Sequence, residues 1–401
     1  MFYIYYLALY FGMGVLFTFL SVYFAELTPL SPEQVTRMLS FAPIVSFLSQ
    51  NTFAYISDKT RKHKPILIFV IIMTIAGALL VSWAANLNSF TLVIIAYFIF
   101  AFFYPSVAAL TENFTLEYSS LNDIPYGRIR LFGSLGYAIA GQVAGMITGR
   151  FGVSVIFYIF ALCSLVPLFI APRFSSIEVN EEEEVDPTED NPLITDNKVY
   201  AQLFKNKTYI LIMLCSFFIL GSMTVTNTIF GLYITQHAML PLQFLGTTVL
   251  LSAATEIPMM FYSNKLIDKF GVYRILALAG TLNAIRFMTY FLFPNEIAIL
   301  IVTATHGIGY GSAFTAIMHL LEKEIPTSIR ATAISFNTSF AVGIGTFAIT
   351  FLSSLVLNAR ETYVLLTLLQ ATGAVLCIYL ATKNRSKKSK LEVSDDAPVV
   401  R

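Results

Sequence analysis

Long apolar runs separated by short polar breaks organise this chain. Twelve runs, at residues 2–25, 36–56, 65–86, 89–113, 129–149 and 152–172, then 208–235, 241–263, 274–293, 296–318, 331–357 and 361–382, approach the length a helix needs to cross a bilayer. Each is predicted as a membrane-spanning helix, because a chain in hydrocarbon has to satisfy its backbone polar groups internally. They are numbered one to twelve in chain order. Between spans six and seven, Ile177 to Lys198 is acidic, proline-containing and poor in apolar residues, the pattern of a flexible linker. The pattern therefore predicts an all-α membrane protein of two six-helix bundles, residues 1–172 and 208–382. An acidic cytoplasmic linker over 173–207 joins them, and a basic, disordered tail over 383–401 follows.

The polar breaks also carry an orientation. Of 25 lysines and arginines, only Arg37, Arg150 and Arg360 fall in loops at one end, while Arg286 lies inside a span. The remaining 21 share the other end with both termini, which predicts that both termini are cytoplasmic in the plasma membrane. The opening stretch, Met1 to Phe24, has no basic leader and reads as a first span.

Polar residues inside the runs are the candidates for chemistry, since an ionisable group at that depth is costly unless it is paired or used. Tyr126 to Gly145, YGRIRLFGSLGYAIAGQVAG, sets Arg128 and Arg130 on nearly opposite faces of a helix at the start of span five. Behind them Gly133, Gly136, Ala140, Gly141, Ala144 and Gly145 recur at the spacing that lets helix backbones approach closely in lipid. In the second half, Glu256 falls about 14 Å above Lys265, Arg286 about 18 Å above Arg274 and His306 about 15 Å below Glu296. All three are thus expected near one depth, an acid, a cation and a titratable ring delivered by three different spans. Asn227 on span seven is a further candidate for contact with a polar solute.

Composition narrows the function. Charged residues are 12% of the chain against 56% apolar, and the net charge of +1 offers no basic surface for nucleic acid. The three cysteines, Cys163, Cys215 and Cys377, lie within apolar runs and lack metal-ligand or disulfide spacing. No His-Glu-x-x-His motif or serine-base pair suggests an intramembrane enzyme, so the chain is read as a non-enzyme.

The halves echo each other. Asp58-Lys59-Thr60-Arg61 follows span two, and Asp268-Lys269-Phe270-Gly271 follows span eight. These paired loops resemble the gating signature of the major facilitator superfamily, with Ala54, Arg61 and Asn264 standing where that signature has glycine. The stretch Tyr126 to Tyr137 is similar to the start of span five in its lactose-permease-like branch, which includes oligosaccharide and nucleoside proton symporters and phenylpropionate permeases. The resemblance implies that Glu112 and Arg130 hold a sugar's hydroxyls, with Tyr137 as the aromatic platform beneath the ring. Arg286 and His306 match positions of that branch's proton-coupling and sugar-binding network, and Glu256 stands where it has a sugar-contacting asparagine. Three acidic or basic positions of that network are Gly309, Ala253 and Val342 here. Glu256 is therefore the replacement expected to carry the proton, with Arg286 and His306.

The combined expectation is a secondary transporter working by alternating access between two rocking halves. It symports protons with a small polar solute: a sugar or oligosaccharide first, then a nucleoside or an aromatic acid, with solute or drug export as the rival direction. It needs no cofactor or metal. Its partners are the solute and the lipid bilayer, and a monomer is expected.

Overall fold

A computed structural model describes residues 1–174 and 203–395, so the predicted acidic linker lies almost wholly outside the described residues. The described chain is helical throughout its spans. Eleven helices among the described residues are long and apolar enough to cross a membrane. Span one is Phe2–Leu27, three His63–Asn86, four Phe90–Leu121, five Tyr126–Phe151 and six Val153–Arg173; spans seven to eleven are Lys207–His237, Leu242–Phe270, Val272–Leu292, Glu296–Glu324 and Thr332–Val356, and span twelve starts at Ala359.

Span two differs from the single run expected. It forms two helices, Pro32–Ser40 and Ala42–Thr60, which meet at Phe41. Pro43 cannot donate to the carbonyl of Leu39, so one turn of hydrogen bonding is lost there and the helix restarts. The first piece has its own start signal: Ser31 Oγ accepts from the Gln34 amide at 3.3 Å while Gln34 Oε1 accepts from the Ser31 amide at 2.8 Å. The last helix is Ala359–Asp395, and no glycine or proline interrupts the sequence from Lys383 to Asp395.

Large apolar side chains stay exposed all round the outside, Leu162, Phe169, Phe261, Ile297, Leu368 and Val375 among them. In lipid this is the expected outer surface, since hydrocarbon leaves no driving force to bury it. Packing inside the bundle instead depends on close backbone approach. Span five provides it on two sides. A Cβ at Gly136 would lie 2.5 Å from the Leu7 carbonyl oxygen of span one. On its other side a Cβ at Gly141 would lie 2.8 Å from Val249 Cγ1 of span eight, and Gly246 sits directly against the Gly141 carbonyl. Span five therefore belongs to the first half and is also the seam with the second.

The seam is uneven along the membrane normal. One end of the molecule, here the terminal face, carries the chain's N-terminus and the loops after spans two and eight. At the opposite face one continuous apolar core joins first-half residues such as Phe19, Phe24 and Tyr97 to Ile229, Tyr233, Phe244, Tyr290 and Tyr363 of the second. Phe41 meets Phe347 and Phe351 there, ring centroids 5.2 and 5.7 Å apart, and Arg37 Nη2 donates to the Ser354 carbonyl at 3.4 Å. Toward the terminal face the second half keeps a separate core of its own, built on Leu203, Tyr209, Ile275, Leu320 and Leu380. The halves are thus clamped at the opposite face, and at the terminal face they do not share a core.

Gly246→Val should push span eight off span five at the clamp and destabilise the fold by about 1–3 kcal/mol, the usual cost of overpacking. Gly127→Ala is its control, because a Cβ at Gly127 meets nothing within 4 Å. Thermal unfolding in detergent should show a lowered midpoint for the first and none for the second; equal midpoints would contradict the close seam.

Candidate substrate and coupling site

Spans eight, nine and ten deliver the three second-half candidates into direct contact. Span ten can come close to span eight because Gly307 sits directly against the Thr255 carbonyl, where any Cβ would clash. The Gly307 amide also donates to Thr255 Oγ1 at 3.2 Å. The segment Gly307–Gly311 opens into a π-helical turn, which turns His306 and Tyr310 to the same side. His306 Nδ1 lies 2.6 Å from Arg286 Nη1, and its Nε2 lies 3.5 Å from Glu256 Oε2. A guanidinium has donors only, so Nδ1 accepts and the imidazole is the neutral tautomer with its proton on Nε2, on the side of Glu256. Tyr310 stacks on the imidazole, centroids 5.7 Å apart and planes 10° from parallel.

Burial divides the three by role. Arg286 is 2% exposed, packed 4.9 Å over the Phe287 ring, and its Nε has no hydrogen-bond partner among the described residues. The side chains of His306 and Glu256 are 23% and 27% exposed. Arg286 is thus held behind the imidazole, while acid and ring stay partly exposed. Tyr137 of span five is near enough for its hydroxyl to sense the charge of Glu256. The Gly309 position, where the resemblance implies a glutamate, is filled differently: the Asn283 carboxamide of span nine lies against the Gly309 backbone. Asn283 Nδ2 donates to Met223 Sδ at 3.1 Å.

The first-half candidates form a second group. Arg130 stacks on Tyr10 of span one with its Cζ 4.3 Å from the ring centroid. Among the described residues Glu112 and Arg130 make no ion pair within 4 Å; both instead interact with the Tyr126 hydroxyl, one helical turn before Arg130. Acid and guanidinium are therefore not tied up in a simple ion pair. Asn227 is exposed on span seven and shares no hydrogen bond with either group among the described residues.

Sequence reasoning passed over Tyr10, Tyr126 and Tyr310. The signal for the first was present in Tyr3, Tyr6 and Tyr10, which recur at helical spacing on span one and so form one aromatic face.

The two loops differ in their fine structure. Arg61 caps its helix with φ of 52°, a left-handed conformation that costs a side chain roughly 1 kcal/mol, while its counterpart Gly271 takes φ of 89° without that penalty. Asp58 Oδ1 is 3.9 Å from His63 Nδ1, which also pairs with Ser57 Oγ at 2.6 Å. Lys59 lies over the Tyr55 ring at 5.4 Å and Lys269 over Phe270 at 5.3 Å, so each basic member of the motif rests on a neighbouring aromatic ring. Asp268 has no ion-pair partner among the described residues. Of the cysteines, Cys215 and Cys377 are buried with their sulfurs 3.5 Å apart, and all three are free.

Comparison with known proteins places this geometry. Residues 1–366 match the model of the MFS_1 like family. The uncharacterized transporter YwbF of Bacillus subtilis (strain 168) is 27% identical over 386 residues, 96% of this chain and 93% of that protein. The maltose permease of Geobacillus stearothermophilus is 25% identical over 386 residues, 96% of this chain and 94% of its own. Among solved structures, that of the nucleoside transporter NupG superposes with a TM-score of 0.78 at 16% identity, covering 94% of this chain and 97% of the other, which is a likeness of fold. With twelve apolar runs in two halves and a family match over most of its length, this chain is a multi-pass membrane transporter, not an enzyme, and belongs to the MFS_1 like family of the major facilitator superfamily.

Proposed function

We propose that the chain is a proton-coupled symporter that imports a small polar solute, a sugar or oligosaccharide first, across the plasma membrane. The observation that carries the reading is the contact chain Glu256–His306–Arg286 within the second half. A proton on Glu256 removes the anion that balances Arg286 through the neutral imidazole. The buried guanidinium is then uncompensated, and such a change is what couples protonation to a change of packing between halves. With the terminal face taken as cytoplasmic, the clamp at the opposite face makes this the inward-facing state. Proton release from Glu256 into the cytoplasm re-forms the chain and resets the carrier.

Solute class follows from the donors and acceptors presented. Glu112, Arg130, Glu256 and His306 offer carboxylates, a guanidinium fork and an imidazole, with Tyr137 as a flat apolar surface, a set that suits a polyhydroxylated ring. The maltose permease similarity points the same way. An aromatic acid gripped by two guanidiniums is less well served, because Arg286 is buried and engaged by His306. The carrier is expected to act as a monomer without cofactor, H+ being the coupling ion.

Two substitutions separate coupling from binding. Glu256→Gln keeps shape but cannot change charge, so in vesicles it should lose uphill accumulation and retain solute exchange at near wild-type rate. Loss of both would recast Glu256 as a solute ligand, and persistent accumulation would remove it from the coupling step. Arg130→Lys keeps charge but loses the fork, and should weaken solute binding by about ten-fold or more, as loss of hydrogen bonds to a charged group does. Unchanged affinity in Arg130→Lys would leave Arg130 a structural residue only.

A further inference from the structure

Arg130 is held in an unusual way for a membrane cation. Its face lies against a ring, the guanidinium carbon 4.3 Å from the Tyr10 ring centroid, while its edge meets the Tyr126 hydroxyl. No ion pair to Arg130 is formed among the described residues. The stack has been given room. A Cβ at Gly133, one turn on from Arg130, would lie 2.8 Å from Tyr10 Cδ2 and 2.9 Å from Arg130 Nη1, so any other residue would drive a wedge between ring and cation. Tyr10 is itself braced from behind by Tyr6, centroids 5.7 Å apart and planes 22° from parallel, and Tyr6 is fully buried. Spans one and five are pressed together on both sides of this point, at Gly136 against Leu7 and at Gly14 against the Tyr137 carbonyl.

We propose that Tyr10 is a positioning residue for Arg130, its ring fixing the plane of the guanidinium while leaving the edge donors not engaged by the Tyr126 hydroxyl free for a ligand. The chemistry distinguishes a ring from a carboxylate in that place. A guanidinium carries its N–H donors around its edge, and a partner stacked on its face attracts the charge without consuming a donor. A carboxylate would hold the cation more firmly but would occupy the fork that a solute's hydroxyls need. The stack also lowers the cost of keeping in the membrane a cation that has no ion pair among the described residues. The proposal rests on Arg130 lying in the solute site, but the contact itself can be tested without any solute.

Phenylglyoxal reacts with accessible, unrestrained guanidiniums, and peptide mass mapping reports its addition residue by residue. Exposed Arg128, on the same helix turn, is the internal standard. In the purified full-length protein in detergent, Tyr10→Leu should raise Arg130 modification about five-fold relative to Arg128, the scale a cation–π contact supports. Tyr10→Phe keeps the ring and should match wild type. Gly133→Ala, which wedges the pair apart and leaves both side chains in place, should raise it as Tyr10→Leu does and guards against a misfolded leucine variant. Equal Arg130 reactivity in wild type, Tyr10→Leu and Gly133→Ala would overturn the proposal, as would a rise in Tyr10→Phe as large as in Tyr10→Leu. Because no solute is present, a failed uptake panel would count against the symport reading alone.

Discussion

The packing of the second half depends on one buried cation, Arg286. Arg286 sits 2% exposed in a part of the protein that is surrounded by hydrocarbon, and it is tolerable there because His306 accepts from it and leads to Glu256. Everything around the contact serves to make it possible. Gly307 lets span ten reach the backbone of span eight, and the π-helical turn after it aims the imidazole. The neutral imidazole is the economical link, since it accepts from the cation on one nitrogen and offers a proton toward the anion on the other. An ionised Glu256 balances the cation through this link, which is the basis of the proton-coupling proposal.

The seam between the halves runs along spans five and eight. Glycines 141 and 246 let spans five and eight meet backbone to backbone, a contact with no flexible side chain to absorb motion. The aromatic clamp of Phe41 with Phe347 and Phe351 closes one face, while the second half keeps its own core at the other. The halves thus share a close backbone seam and a common core toward one face only. Tyr137 of span five is near enough to sense the charge of Glu256 on span eight, one from each half.

Much of this was legible in the sequence, for reasons that are themselves physical. Hydrocarbon forces long apolar runs, so the spans and their two-fold echo in Asp58-Lys59 and Asp268-Lys269 can be read directly. Depth follows from helical rise, and the meeting of Glu256, Arg286 and His306 was predictable to that extent. Which atoms touch was not: nothing in the spacing says that the imidazole stands between acid and guanidinium. The break at Phe41 was hidden because a proline near a helix start and one in its interior look alike in an apolar run. Tyr10 was hidden for a different reason, since an aromatic on an apolar span is ordinarily packing, and only the space left at Gly133 marks it as a partner of Arg130.

A proton-driven carrier makes a direct demand on a sealed vesicle. Purified protein reconstituted in liposomes, with an inside-alkaline pH gradient and a panel of labelled mono- and oligosaccharides and nucleosides, should accumulate one of these solutes above its external concentration. A protonophore should collapse that accumulation to equilibration without stopping exchange. Accumulation that survives the protonophore, or that follows a sodium gradient instead, would contradict a carrier driven by protonation of Glu256.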